Sequence, residues 1–454
     1  MLLNITDSPK FHDNSRPSFN CEELLGWMDT LPSGLKWNSI VLEVEGYKTT
    51  DPIHLIWRDA GEVAVSLFGD PIFGADMMFD PLLVMNEFGQ EYSKWFSAHK
   101  AHRIQVCAVL CPHEYSKVIF IQDCLPEGAT IVPILAASDK TPVTRMTGGL
   151  EMHPLFISIG NILGHICMAA TSHTWRCVAF MPIPKFDVPS TCQSILQHHL
   201  WHRCADIVMD GLTCAMANRH IMVEPHRFWH NCFMPLATWT GDLPEQLMIG
   251  CVAKNASPVT EATHKLFGDA SCHPSRMGEH ILECIDNIAH TVDPWNLVRF
   301  QKQAKAIQLS SIYLPCWRNW LHAEPSIFLI PEILHFCHKL FFDHVLKWCK
   351  EVVGEELDAR FKCHHKRIAA RHFKDGVSHV KQMMGREHRD IQCTIIAMIA
   401  GHVPPRFLRT ICALINFIYQ AQSPVHTNSS VNQMELSLRE FHAHKDAIIK
   451  AGAR

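Results

Sequence analysis

The chain has 454 residues, 47% of them hydrophobic and 19% charged, and its formal net charge is −4. That length and balance can bury a sizeable core in about two or three domains, which excludes a disordered protein. The charge excludes a general attraction to nucleic acid, so any DNA contact needs a local basic patch.

No apolar run reaches the roughly 18–20 residues that cross a bilayer, so no membrane association is expected. The opening MLLNITDSPKFHDNSRPSFN has no basic segment followed by an apolar one. It predicts no secretory signal and an intracellular protein. The 19 cysteines include no C-x-x-C pair, with Cys107 and Cys111 the nearest approach. Scattered cysteines in an intracellular chain point to reduced, mostly buried thiols.

Residues 1–125 read as a partly irregular N-terminal region, with SPKFHDNSRPSFN a loose lead-in. HLIWRDAGEVAVSLFGDP (54–71) predicts an extended run into a helix closed by Gly69-Asp70-Pro71. The stretch over 95–124 has apolar runs without a clear period. Residues 126–250 are sharper. ATIVPILAAS (129–138), PLFISIGNI (154–162, after a turn at Gly148-Gly149) and WRCVAFMPIP (175–184) predict three strands. SILQHHLWHRCADIVMDGLTCAM (194–216) has helical spacing, and NCFMPLATWTGD (231–242) predicts a fourth strand. Three strands, a helix and a further strand make an α/β core with a mixed sheet. Residues 251–330 read as an insertion with helices around 279–291 and 295–307 and a Trp-rich loop, LPCWRNWLHAEP. Residues 331–454 read as helical. PEILHFCHKLFFDHVLKWCKEVVG starts with Pro331 near a helix N-terminus and ends at Gly354. RFLRTICALINFIYQAQ and QMELSLREFHAHKDAIIK follow.

Two of the predicted strands stop on an acid, Asp139 and Asp242. Carboxylates on neighbouring strand ends suit the hard divalent ions of phosphoryl transfer. The pattern alone fits a blander reading equally: Asp139 caps the following turn and Lys140 pairs with it.

LPEGATIVPILAASDKTPVTRMTGGLEMHPLFISIGNI is similar to the core of the Plavaka transposases, in the Kyakuja–Dileera–Zisupton group of DNA transposons common in basidiomycete fungi. The resemblance continues through WRDAGEVAVSLFGDP, TSHTWRCVAFMPIPKF, DLPEQLMIGCVAKNASPVTEAT, FLIPEILHFCHKLFFDHVLKWCKEVVG, RHFKDGVSHVKQMMGREHRDIQ and EFHAHKDAIIKAGAR. It implies a ribonuclease-H-like mixed sheet of the DDE/D type, with a helical insertion and a mostly helical C-terminal region. It implies Mg²⁺ dependence and cut-and-paste strand transfer of DNA in the nucleus, and it is compatible with a homo-oligomer. Asp139 in SDKT and Asp242 in GDLPEQ match the family's first two metal-binding acids.

The third acid departs from the family pattern. The resemblance places it on a helix after the insertion, beyond the end of this chain, so a truncated and inactive copy is expected. A non-catalytic DNA- or protein-binding remnant is the alternative. Within the chain, Glu332 in PEILH stands where many members have Asp, at a helix start that favours an acid for electrostatic reasons. Family members often carry a zinc knuckle after the second acid. Here only Cys251, Cys272 and His273 remain, which points to ordinary buried cysteines. EILHFCHKLFFDH places Glu332 and His335 on one helix face, with His338, Asp343 and His344 further round. That is a metal-friendly spacing that also arises by chance. KCHHKR (362–367), with Arg360, Arg371 and Lys374, could touch phosphates or form a solvated face.

Overall fold

Seven stretches form one mixed sheet: β1 (Asn38–Leu42), β2 (Ile53–Trp57), β3 (Ile134–Ser138), β4 (Pro154–Ile159), β5 (Arg176–Phe180), β6 (Leu236–Gly241) and β7 (Leu329–Pro331). The protein is seen as a computed structural model that describes Gly26 and residues 34–105, 125–126, 128–144, 150–366, 371–380 and 385–453. The predicted lead-in, the Gly148-Gly149 turn and most of 95–124, including Cys107 and Cys111, lie outside the described residues. Ser39–Arg454 forms one compact unit.

The strand order is β1-β2-β5-β4-β3-β6-β7. From β2 to β3 the neighbours run antiparallel. β6 runs parallel to β3, and β7 parallel to β6. β3, β6 and β7 therefore finish at the same edge of the sheet.

Two predicted strands are shorter than their apolar runs. ATIVPILAAS divides into Ala129–Ile131 and β3, and NCFMPLATWTGD into Trp229–Phe233 and β6. Each run breaks beside a proline, Pro133 or Pro235, which has no N–H to give a ladder. The breaks lie side by side. The Val132 N–H donates to Phe233 O (2.8 Å), and the Ile134 N–H to Pro235 O (2.9 Å). The upstream pieces pair with each other, and His220–Val223 completes a separate three-stranded sheet.

The helix α1 (Ala60–Phe68) starts where Asp59 accepts the Glu62 N–H at 3.0 Å and ends at Gly69. It packs on the 28-residue helix α2 (Ser190–Ala217). The crossing needs glycine: a Cβ on Gly211 would lie 2.7 Å from Asp59 Oδ1.

The insertion leaves β6 through the short helix α3 (Leu243–Ile249), continues through α4 (Gly278–Ala289) and α5 (Leu297–Ala306), and returns at β7. The tryptophans of its Trp-rich loop are buried, while Leu314 and Leu321 beside them are exposed. The Trp317 N–H donates to Ile249 O (2.8 Å) and the Trp320 N–H to Met234 O (2.9 Å). Arg318 binds both carboxylate oxygens of Asp206 on α2, at 2.9 and 3.0 Å. His202 is fully buried, and that burial pushes its imidazole down to about 3. The ring is therefore neutral; Nδ1 accepts the Cys316 N–H (3.0 Å) and Nε2 faces Met248 O (3.1 Å).

Pro331 closes β7 instead of opening a helix. The helical run that follows has wide π-type turns over Leu334–Lys339 and Phe341–Leu346, becomes α-helical over Lys347–Val353, and stops at Gly354 with φ of 67°. Phe341, Val345 and Leu346 join a separate apolar cluster with Phe407, Ile411 and Ile415 of α6 (Pro405–Ala421). The helix α7 (Asn428–His444) packs against α6. No helix among the described residues is long and apolar enough to cross a membrane.

Trp320→Phe tests how the insertion is tied to the sheet. It leaves the buried Met234 carbonyl without its donor. It is expected to cost about 1–3 kcal/mol in urea unfolding, with the m-value unchanged. An unshifted urea midpoint would show that this bond does not anchor the insertion.

Candidate active site at the sheet edge

Asp139, Asp242 and Glu332 are the residues that follow β3, β6 and β7. Ala137 pairs with Thr240, and Gly241 with Pro331. The next residues on each strand therefore present the three acids at adjacent strand ends.

Asp139 is exposed and accepts the Thr141 hydroxyl at 3.2 Å. Lys140, which lines the same cavity, has its ammonium paired with Glu151 at 2.7 Å. Asp242 caps α3, accepting the Glu245 N–H at 2.9 Å ahead of Pro244 in the first turn. Partial burial pushes the Asp242 carboxyl above its ordinary value. The Glu245 N–H pulls it down, the charges of Asp139 and Glu245 push it further up, and His335 lowers it. Asp139, Asp242 and His335 thus share one electrostatic neighbourhood.

Glu332 caps its own helix. Its carboxylate accepts the N–H groups of Leu334 (2.8 Å) and His335 (2.7 Å) and also pairs with the His335 ring. The E-x-x-H pair and the helix-start role are therefore both present. The rest of that motif is not gathered. His338 is buried with its ring stacked on His388, centroids 6.1 Å apart. Asp343 pairs with Lys339 at 2.8 Å, and His344 lies against Trp348.

Behind the acids is a polar cluster that the strand-end pattern did not predict. Glu245, only 7% exposed, accepts the Ser138 hydroxyl and meets His153 Nε2 at 2.8 Å. The Trp239 N–H donates to Ser138 Oγ at 3.0 Å. Gly241 leaves room for this arrangement, because a Cβ there would lie 2.9 Å from Glu245 Cγ. Gln246 donates to both Gly241 O (3.0 Å) and Ile330 O (2.9 Å), which ties the ends of β6 and β7 together. The one signal in the sequence is Glu245 three residues after Asp242, a spacing that reads as ordinary helix capping. A cavity of about 360 Å³ opens beside this cluster, lined by Asp139, Asp242, Glu245, His153, Gln197 and His198. Burial pushes the His198 imidazole below its ordinary value, against the pull of Glu245.

The other candidates are not collected into sites. Cys251 is buried with its thiol toward Ile249 O, and burial pushes that thiol well above its ordinary value. Cys272 is exposed, contrary to the buried pair expected, because it lies in a surface loop of the insertion; His273 pairs with Asp269 at 3.4 Å. Among the described residues no group of three or more His, Cys, Asp or Glu side chains is placed to hold a metal ion. Arg360 and Arg371 pair with Glu356 (3.0 Å) and Glu387 (2.8 Å), so they belong to the ion pairs of the helical region. Arg367 lies outside the described residues.

The raised Asp242 carboxyl gives a pH prediction with a definite sign. Below the ordinary value of 3.8 the group is protonated both folded and unfolded, and it imposes no penalty. As pH rises through the raised folded value, ionisation favours the unfolded chain. Asp242→Asn keeps a good cap and removes that penalty. In metal-free buffer it is expected to raise the thermal midpoint at pH 7, with the gain vanishing below about pH 4. A gain independent of pH, or a loss at pH 7, would contradict the crowding of Asp242.

No curated protein matches the chain. The family described as Plavaka transposase matches residues 19–349, which span all seven strands, α1 to α5 and all three acids. Since that match covers well over half of the sequence, the chain belongs to the Plavaka transposase family.

Proposed function

We propose that the chain is a DNA transposase core of the DDE/D type, with Asp139, Asp242 and Glu332 as its acids. The observation that carries this reading is the parallel register of β3, β6 and β7, which presents one acid after each of three adjacent strands. A ribonuclease-H-like identity for the sheet is supported by its path: three antiparallel strands, one long helix, then two strands parallel to the first.

The donor set fits a hard divalent cation. The Asp139 charge helps to raise the Asp242 carboxyl, a crowding that a shared cation would relieve, and Mg²⁺ favours carboxylate oxygen with its remaining positions filled by water and phosphate. Bound Mg²⁺ would supply Lewis-acid activation of the attacking and leaving oxygens. Asp139, exposed, and Asp242, half-buried, would hold it. Glu332 would contribute on giving up its pairing with His335. In the first step water attacks the DNA phosphorus and the P–O3′ bond breaks, which leaves a 3′-hydroxyl. In the second step that hydroxyl attacks a target phosphorus, the target's own P–O3′ bond breaks, and the target strand leaves with a free 3′-hydroxyl. The reading implies DNA as partner and action in the nucleus.

Against the inactive copy expected from the resemblance, we take Glu332, which follows β7, as the third acid, so cleavage by this chain is the expectation to test. The alternative, a non-catalytic DNA- or protein-binding remnant, draws on one observation: the Glu332 carboxylate is already engaged by two N–H groups and His335. The test uses the full chain with duplex oligonucleotides carrying the element's ends, in Mg²⁺ or Mn²⁺. Metal-dependent nicking is expected, reduced by about 100-fold or more in Asp139→Asn and Asp242→Asn. Binding without cleavage in either metal would favour the remnant.

A further inference from the structure

We infer that Glu245 is the positioning residue of this site: its buried side chain and backbone hold together the strand ends that present Asp139 and Asp242, and so set the spacing at which the two aspartates share a divalent cation. The inference rests on the metal-site reading above.

Glu245 reaches three neighbouring strands. Its Oε1 accepts from Ser138, the residue just before Asp139, and meets His153, the residue just before β4. Its own N–H lies on Asp242 Oδ1 at 2.9 Å. Trp239, on β6, completes the link by donating to Ser138 Oγ. A shift of Glu245 would therefore disturb both aspartates at once. The backbone is shaped to receive it, since Gly241 is the residue on which a Cβ would collide with its side chain.

Burying a third acid beside Asp139 and Asp242 adds repulsion. That carboxylate is nonetheless the shared partner of the Ser138 hydroxyl and the His153 ring, which an apolar residue would leave unpaired. A buried carboxylate makes physical sense if it orients ligands for a cation, as outer partners at metal sites do.

The test is Mn²⁺ binding to the full chain, followed by titration calorimetry, with thermal unfolding measured alongside. Asp139→Asn reports on the site itself and is expected to weaken Mn²⁺ binding by at least about 10-fold. Glu245→Ala is expected to weaken it by about 10–100-fold. Glu245→Gln keeps an acceptor for Ser138 and is expected to restore most of that loss. Ile411→Ala, in the separate helical cluster, serves as a control that lowers the unfolding temperature and leaves Mn²⁺ affinity unchanged. If Glu245→Ala does not fold, Ser138→Ala replaces it. That variant cuts the link to the Asp139 strand while leaving the carboxylate, with a loss of about 10-fold expected. Weakened binding in Asp139→Asn with normal binding in Glu245→Ala and Ser138→Ala overturns this inference alone. Normal binding in Asp139→Asn overturns the metal-site reading and this inference with it.

Discussion

The ladder between β3 and β6 decides where Asp139 and Asp242 stand. Leu236 pairs with Ile134, but Thr238 pairs with Leu135, so β6 carries one extra residue at the start of the ladder. From there the offset between the strands is constant up to Thr240 opposite Ala137. Two residues further on, that offset sets Asp242 opposite Asp139. Without the extra residue, Gly241 would take that place and the β6 side chains would swap faces. The irregularity sits beside Pro235, where a missing N–H already interrupts regular pairing. A small defect at one end of the strand thus sets the alignment of the acids at the other.

The apolar runs made much of this legible. PLFISIGNI, WRCVAFMPIP and the long helical pattern over 194–216 form the predicted elements, Pro154–Ile159, Arg176–Phe180 and Ser190–Ala217. ATIVPILAAS and NCFMPLATWTGD broke at internal prolines, since hydrophobicity continues through Pro133 and Pro235 while the hydrogen-bond ladder does not. β7 was missed because three residues, Leu329–Pro331, are too few to show a period, and Pro331 reads as a helix signal. Without β7, Glu332 is only an acid at a helix start. Glu245 was invisible for another reason: its partners Ser138 and His153 lie 107 and 92 residues away in sequence, and only the folded sheet brings them together.

Charge around the acids is unevenly distributed. Lys140, its neighbour in sequence, is drawn to Glu151 on the facing hairpin, and both partners are about half exposed. Such a pair is worth only about 0–1 kcal/mol, so its stabilising effect is small. Lys140 nonetheless lines the same cavity as Asp139 and Asp242, so its charge stays at the site. His335 has the opposite relation to Glu332, covering that carboxylate directly. The three acids are therefore unequal: one open, one crowded and half-buried, and one engaged by its own helix.

The insertion can be long because its two ends are fastened together. It leaves the sheet just after Asp242 and returns at β7, and Gln246 donates to carbonyls on both sides of that gap, Gly241 and Ile330. Closing a loop costs only slowly more as it lengthens, so what matters to the site is the join rather than the length. The far part of the insertion is held independently, by Arg318 on Asp206 and by Trp320 on Met234. Adjacent residues of α3 thus divide the work. Glu245 holds Asp242 to the β3 side of the sheet, and Gln246 holds it to the β7 side. A shift of α3 would disturb the ends of β3, β6 and β7 together, since its side chains bind Ser138, Gly241 and Ile330.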